Sequence, residues 1–525
     1  MIRRYFTKEN LVVLVLALIA LHPVIDLDYL LASFFDSVGM PRLSVIIDYL
    51  LLPFLAILAF ILFEKRKKRI AIFAIVYGAV LALYFIVHCL YVNDALATID
   101  LPDNFYFNIF YEFTYLLSLI IPLAYIYVIY LSDVKMRLFK KVSLTIASIM
   151  GLSIFISNIF EFGLTTYNYE NQINGNIFSW FSMPYDFEEN LAKFYPTKFY
   201  FEEGNTTGII MFLNAPFIFY FFIKEDDKIK KVLLGGLVLI HSLAMMIVST
   251  RVSTYGAVAI ASMVLVVYLF LVVIKKEKFK TFSALFIVAI IALTAFIIPY
   301  SPAYNMPKVF TTVYGESDLS IDKGAIYAEI VEGAQGLDED SDEWKEYYLD
   351  YLKEYHFMLN GTPEEYYLEY YPETYDPEFW VRTMFTKTAD ELNDGRVIQM
   401  AIIDEKWQRL DPIAKGLGLG YTTLMNGSVL IERDFVRQYY SLGYIGMFMA
   451  MVPWLISWLY LGFKMLFGYK KGYWNFFDIL LMASFTLAII VSLLSGHTFD
   501  QFSSALYIAL VVGMLFRDLG ASHEA

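Results

Sequence analysis

Residues 232–274 read VLLGGLVLIHSLAMMIVSTRVSTYGAVAIASMVLVVYLFLVVI. Two apolar runs, 232–250 and 254–274, meet at Ser249-Thr250-Arg251-Val252-Ser253. A helix of about 20 apolar residues crosses the roughly 30 Å of a bilayer's hydrocarbon core. Lysines crowd the far ends of both runs, between Lys224 and Lys231 on one side and between Lys275 and Lys280 on the other. Basic residues collect in cytoplasmic connections. The pair therefore reads as two helices crossing in opposite directions, with a tight turn at Arg251 on the outer face.

The same reading extends over most of the chain. Candidate spans cover 11–25, 42–63, 70–92, 106–131, 142–160, 208–223, 282–299, 437–463, 475–495 and 502–516 in addition to the pair above. Every second connection is basic, as at Lys65 to Arg69, Lys135 to Lys141, and Lys470 with Lys471. Both termini then lie in the cytoplasm, which requires an even number of spans, and twelve fits. The expected fold is an all-α polytopic membrane protein of about 12 transmembrane helices. Its expected organisation is a bundle of nine spans over 1–299, a large, mainly helical extracytoplasmic loop over 300–436, and three more spans over 437–525. The basic start Met1–Asn10 and the run from Leu11 lack a small-x-small cleavage pattern, so they read as a retained first helix.

Composition agrees. Of 525 residues, 58% are hydrophobic and only 18% charged, against about a quarter charged in soluble domains. Cys89 is the one cysteine and lies in an apolar run, so neither a disulfide framework nor a thiolate metal cluster is available. The segment 300–436 holds 27 Asp or Glu. It accounts for the chain's net charge of −13, and the remainder is close to neutral. A connection of this length carries its own structure or none, and helix signals favour structure. Ser341 caps a stretch whose first turn holds Asp342 and Glu343, and Trp344, Tyr348, Tyr351 and Tyr355 follow on one face. Thr362-Pro363-Glu364-Glu365 reads as another helix start.

Five short elements have chemical potential. Arg251 is either an interfacial arginine reaching the headgroups or an anion ligand. Asp394-Gly395-Arg396 opens an amphipathic stretch in which Val397, Met400, Ala401 and Trp407 recur at helical spacing, with Asn393 or Asp394 as cap. An arginine at a helix N-terminus suits an anion, and also suits plain solvent. Gly416-Leu417-Gly418-Leu419-Gly420 permits a tight bend or a close ligand, and no strand–turn–helix unit surrounds it. Glu432-Arg433-Asp434 precedes span 437–463 and offers carboxylates for general base work or rim charges paired with Arg433 and Arg437. Gly496-His497-Thr498-Phe499-Asp500 sets a histidine near an aspartate. No HExxH, G-x-S-x-G or GxxxxGK[ST] pattern occurs. Charges inside the spans are few; Asp48 is the main exception, and Glu112 lies near the end of the fourth.

The order of these elements resembles the O-antigen ligase and Wzy-type polymerase family of bacterial envelope glycosyltransferases. The matching series is Ser249-Thr250-Arg251, Gly395-Arg396, Pro412, Gly418-x-Gly420, Glu432, and, eleven positions on, Gly443-Tyr444-Ile445-Gly446. Met400 stands where a tryptophan is often found four residues after Gly-Arg, and Glu432-Arg433 stands where the ligases have histidine and asparagine. The second departure favours polymerase over ligase. The resemblance implies a donor and an acceptor glycan linked to undecaprenyl diphosphate, handled in membrane lipid at the outer face of the bacterial cytoplasmic membrane. It implies inverting transfer with no cofactor and no metal, since arginines take the metal's place. A chain-length regulator and a flippase are the implied partners; nucleic acid is not. Arg251, Arg396 and Arg433 are the implied diphosphate ligands, and Gly418 and Gly420 the backbone turn at the site. Glu432, Asp434 and His497 are the base candidates, in that order. A transporter or a membrane scaffold is the competing class, although the spans show neither repeated halves nor many internal charges.

Overall fold

The computed structural model describes residues 7–63, 67–166, 172–182, 191–306, 321–339, 341–359, 362, 369–388, 391–392, 394–429, 431–468 and 473–521. The helix start expected at Thr362 to Glu365 lies, apart from Thr362, outside them, as do Asn393, Lys470 and Lys471. Among the described residues helices dominate, and the β-structure consists of isolated bridges. Twelve helices are long and apolar enough to cross a membrane: Lys8–Ser37, Leu43–Leu62, Ile75–Ala97, Ile109–Ser132, Met136–Ile159, Gly204–Lys224, Lys228–Val248, Arg251–Ile274, Thr281–Met306, Asp434–Phe467, Phe476–Leu494 and Phe502–Leu519. They are called spans 1 to 12 in that order. The fold is all-α and polytopic, as the apolar runs require, because only a helix satisfies every backbone group inside hydrocarbon.

The chain divides into two compact units. The first comprises Met1–Val76, Leu116–Asn305 and Met451–Ala525; the second comprises Tyr77–Tyr115 and Met306–Ala450.

Span 6 is the axis of the first unit. Fully 94% of its central window is buried, and it packs against spans 5, 7, 8, 11 and 12. Small residues let neighbours approach: a side chain at Gly256 would strike the ring of Phe212, and one at Gly208 would strike the Thr250 hydroxyl. Buried polar groups are paired. Asn214 accepts from Ser143 and from Tyr507 (2.6 and 2.7 Å), and Ser484 donates to the Leu213 carbonyl at 3.0 Å.

The second unit is built on the aromatic and aliphatic residues of the long segment. Ser341 caps helix Asp342–Tyr355, accepting from the Trp344 amide. The buried face of that helix is Trp344, Tyr348 and Leu352, with Tyr351 and Tyr355 flanking it at partial exposure. The expected all-aromatic stripe is thus turned by part of a step, since the i, i+4, i+8 row is completed by a leucine. Helices Pro377–Thr386 and Gly395–Arg409 add Trp380, Met384, Ile398, Ile402 and Trp407 to one core. In Gly395–Arg409 the buried face is Ile398, Ile402, Ile403, Lys406 and Trp407, whereas Val397, Met400 and Ala401 are only partly covered. The expected face is corrected by one residue. The cause is Lys406, which is buried and donates to Asp376 at 3.2 Å over the ring of Tyr371. Asp376 also accepts from the Tyr371 hydroxyl and the Phe379 amide. Burial alone would raise this carboxyl, but the Tyr371 hydroxyl and the Lys406 ammonium outweigh it and hold it below the ordinary aspartate range.

Candidate functional site

Span 10 does not run through unbroken. Gly443 has φ 66° and ψ −177°, so the helix stops after Leu442 and restarts beyond it. A break of this kind leaves carbonyls with no amide four residues on. Each finds another donor within the second unit. The Tyr440 carbonyl accepts from the Leu419 amide at 2.9 Å, and the Ser441 carbonyl accepts from the Gly420 amide at 2.8 Å. The Leu442 carbonyl accepts from the Tyr84 hydroxyl at 2.6 Å.

The glycines make this possible. Gly418 and Gly420 have φ of 89° and 85°, the left-handed region closed to most side chains. A Cβ on Gly418 would lie 2.4 Å from the Gly443 nitrogen and from the Ser441 oxygen; one on Gly443 would lie 2.5 Å from the Gly416 carbonyl. Main chain meets main chain here with no room for a methyl group.

Two polar residues of the spans hold the turn from behind. Gly420 is the N-cap of helix Tyr421–Asn426 and has no side chain to offer. Glu112 caps it instead, accepting from the amides of Tyr421 and Thr422 (both 3.0 Å) and from the Thr422 hydroxyl (3.1 Å). His88 lies between Glu112 (3.2 Å from Nε2) and the Leu417 carbonyl (2.7 Å from Nδ1). A carbonyl can only accept, so Nδ1 carries a proton. Both side chains are buried. Tyr115 stacks on Tyr421 at 3.7 Å. Sequence reasoning noted Glu112 and passed over Tyr84 and His88; an ionisable pair in adjacent apolar spans was the available signal.

This scaffold leads to Glu432. The Ile431 carbonyl accepts from Arg437 Nε at 2.6 Å, which fixes the segment just before it. Glu432 precedes the helix and its Oε2 accepts from Arg396 Nε at 2.8 Å and from Arg396 Nη2. Arg396 stands in the first turn of Gly395–Arg409, where Asp394 is the cap. The two side chains are 33% and 35% exposed, so solvent reaches both. A cation at a helix N-terminus, balanced by one movable carboxylate, can exchange that carboxylate for a phosphate oxygen.

The other candidates fall as follows. Asp434 opens span 10 and is fully buried, two residues from Glu432 but turned inward. Arg433 is exposed. Arg251 and His497 belong to the first unit. Ser249 takes φ 57°, Thr250 caps the next helix by accepting from the Ser253 amide at 3.2 Å, and Arg251 is its exposed first residue. Chain reversal between spans 7 and 8 is thus done by two residues. His497, also at positive φ, has Nδ1 4.0 Å from Asp500 Oδ1, beyond hydrogen-bond length. The structure thus pairs Arg396 with Glu432 directly, and Gly418 with Gly420 through the broken span.

The family described as O-antigen ligase like membrane protein has a model that matches residues 8–522. Among curated proteins and solved structures, nothing matches the chain.

Proposed function

We propose, from the premise that this chain belongs to the O-antigen ligase like family of membrane proteins, that it polymerises oligosaccharide repeat units carried on undecaprenyl diphosphate. The observation that supports this reading most is the solvent-accessible Arg396–Glu432 pair, held at the end of a glycine-locked backbone turn. In the proposed cycle the donor's diphosphate takes the guanidinium of Arg396, whose planar fork matches phosphate oxygens. Glu432 is thereby released. It accepts the proton from the acceptor hydroxyl as that oxygen attacks the donor's anomeric carbon. The bond from that carbon to the phosphate oxygen breaks from the opposite face, and its electron pair leaves with undecaprenyl diphosphate. The anomeric centre inverts. Arg396 and the N-terminus of its helix offset the charge that develops on the leaving group.

Asp434 is the second choice of base, because it is buried. His497 is the third. Arg251 and Arg433 are assigned to diphosphate contact on their sequence elements, and are assayed separately. The alternation of basic connections supports both termini on the cytoplasmic side of a bacterial cytoplasmic membrane, with transfer on the other side. A flippase would then supply the donor. A ligase, which hands one glycan to a different acceptor, is the variant reading.

The test uses purified full-length protein and one defined undecaprenyl-diphosphate repeat unit, with products separated on a gel. A ladder supports polymerase; a single transfer to an added acceptor, with no ladder, supports ligase. Glu432→Gln is expected to lose the ladder and keep donor binding. Arg396→Ala and Arg251→Ala are expected to lose both, with poor rescue by lysine. Normal ladders from both Glu432→Gln and Asp434→Asn would remove the carboxylate base.

A further inference from the structure

At the far end of span 1 from its Lys8 start, His22 is buried between two aspartates. Its Nδ1 lies 3.1 Å from Asp26 Oδ2 and its Nε2 lies 2.9 Å from Asp48 Oδ1. One ligand atom from each of the three residues can be chosen so that all lie within 4.8 Å of one another. All three belong to the first unit.

The charges here do not balance. Nearby acids are accounted for: Asp28 accepts from the Ser44 amide and hydroxyl (2.6 and 2.9 Å), Glu203 caps span 6, and Glu202 meets Arg42 at 3.3 Å. Lys198 gives a hydrogen bond to the Glu202 carbonyl. Asp26 and Asp48 share one imidazole. A proton on His22 offsets one of two negative charges in a site where His22 and Asp48 are 1% and 7% exposed, and an uncompensated buried charge is costly.

Asp26 also lines a cavity of about 30 Å³, whose walls include Glu202, Glu203, Thr206 and Gln501. That volume suits an ion with a water or two, not a sugar or a lipid headgroup. Thr206 supplies an observation independent of the acids. It is 8% exposed, and its hydroxyl has no hydrogen-bond partner among the described residues. A buried hydroxyl left unpaired in a polar cavity lacks something to bind.

We propose that this cavity binds one divalent cation of the kind that takes mixed nitrogen and oxygen ligands, such as Zn²⁺ or Mn²⁺. His22 through Nδ1 and Asp26 are the ligands, with Thr206 and Glu202 completing the set from the cavity wall. Asp48 accepts the Nε2 proton and orients the ring, the usual task of a carboxylate behind a metal-bound histidine. Imidazole with carboxylate selects borderline metals over Mg²⁺. Such an ion would join span 1 to the start of span 6. The proposal is independent of the transfer reaction.

The test is metal binding to the purified, chelator-treated full-length protein: Mn²⁺ followed by loss of the free-ion signal in electron paramagnetic resonance, and Zn²⁺ by calorimetry. About one equivalent is expected, with a rise in Tm. Asp26→Asn is expected to abolish binding, and Asp48→Asn to weaken it by about 10–100-fold. Thr206→Val removes only a hydroxyl, so it gives a readable, weaker affinity even where an Asp26 variant fails to fold. Lys353→Gln, an exposed change in the other unit, is expected to bind as wild type. No stoichiometric binding of either ion, or equal affinity in wild type, Asp26→Asn and Thr206→Val, would overturn the site.

Discussion

Spans 6 and 10 treat the same constraint in opposite ways. Both are long and apolar, and both must satisfy their backbone groups without water. Span 6 does so internally and packs on all sides with 94% of its central window buried. Span 10 is interrupted at Gly443, and three of its carbonyls are satisfied by Leu419, Gly420 and Tyr84. Continuity makes span 6 a support. Interruption gives span 10 a place where another stretch of backbone can be fastened, and the residue proposed as base follows on that stretch.

The sharpest way to break this contrast is at the residue the interruption serves. Glu432→Gln is expected to reduce chain extension by about 10²–10⁴-fold, the usual worth of a general base, with helix content and insertion unchanged by circular dichroism. An equal loss from a polar change within span 6 that also leaves folding intact would erase the distinction.

Next in size is Asp376→Asn, which leaves the buried Lys406 without its counter-charge. The expected cost is about 3–5 kcal/mol, the range for breaking a buried pair from one side. Because the folded carboxyl is held below its ordinary value, its contribution is present above about pH 4 and is lost as pH falls through the lower, folded value. Thermal unfolding of wild type and Asp376→Asn followed from pH 7 to pH 3 is expected to converge toward the acid end. Curves that stay equally far apart throughout would disprove the linkage.

Gly418→Ala is expected to cost about 2–3 kcal/mol, because it combines a forbidden backbone region with a clash against main chain. Gly236→Ala, in span 7 with nothing within 4 Å of the new methyl group, is expected to be neutral or stabilising by about 0.5–1 kcal/mol. Similar midpoints for the two variants would remove the case for a glycine lock. Between these lies Glu112→Gln, expected to cost about 1–2 kcal/mol as charge-assisted bonds become neutral ones, read by faster proteolysis near Tyr421.

What could be read in the sequence follows from the range of the interaction. Twelve spans were legible because hydrocarbon thickness sets one length for all of them. The Ser341 cap was legible because a cap is a local hydrogen bond. The face of Gly395–Arg409 was placed one residue off because pattern reading sends every lysine to the surface, and Lys406 is buried by a partner 30 positions away. Gly443 and Gly418 were legible as members of an ordered series, but not that they touch. The pairing of Arg396 with Glu432 was likewise hidden; each was assigned a partner in the substrate, and they hold one another. His22 lies 26 positions from Asp48, and no local rule connects them.

The contact between Gly418 and Gly443 has an evolutionary consequence. Its hydrogen bonds are made by peptide groups on both sides, and peptide groups are the same in every sequence. Side chains around such a joint are free to drift so long as the glycines remain. Chain length between Gly418 and Gly420 is not free: one added residue would move the Gly420 amide off the Ser441 carbonyl and displace everything that follows, including Glu432. The joint therefore tolerates substitution and rejects insertion, and diversity of substrate is expected to accumulate elsewhere in the long segment.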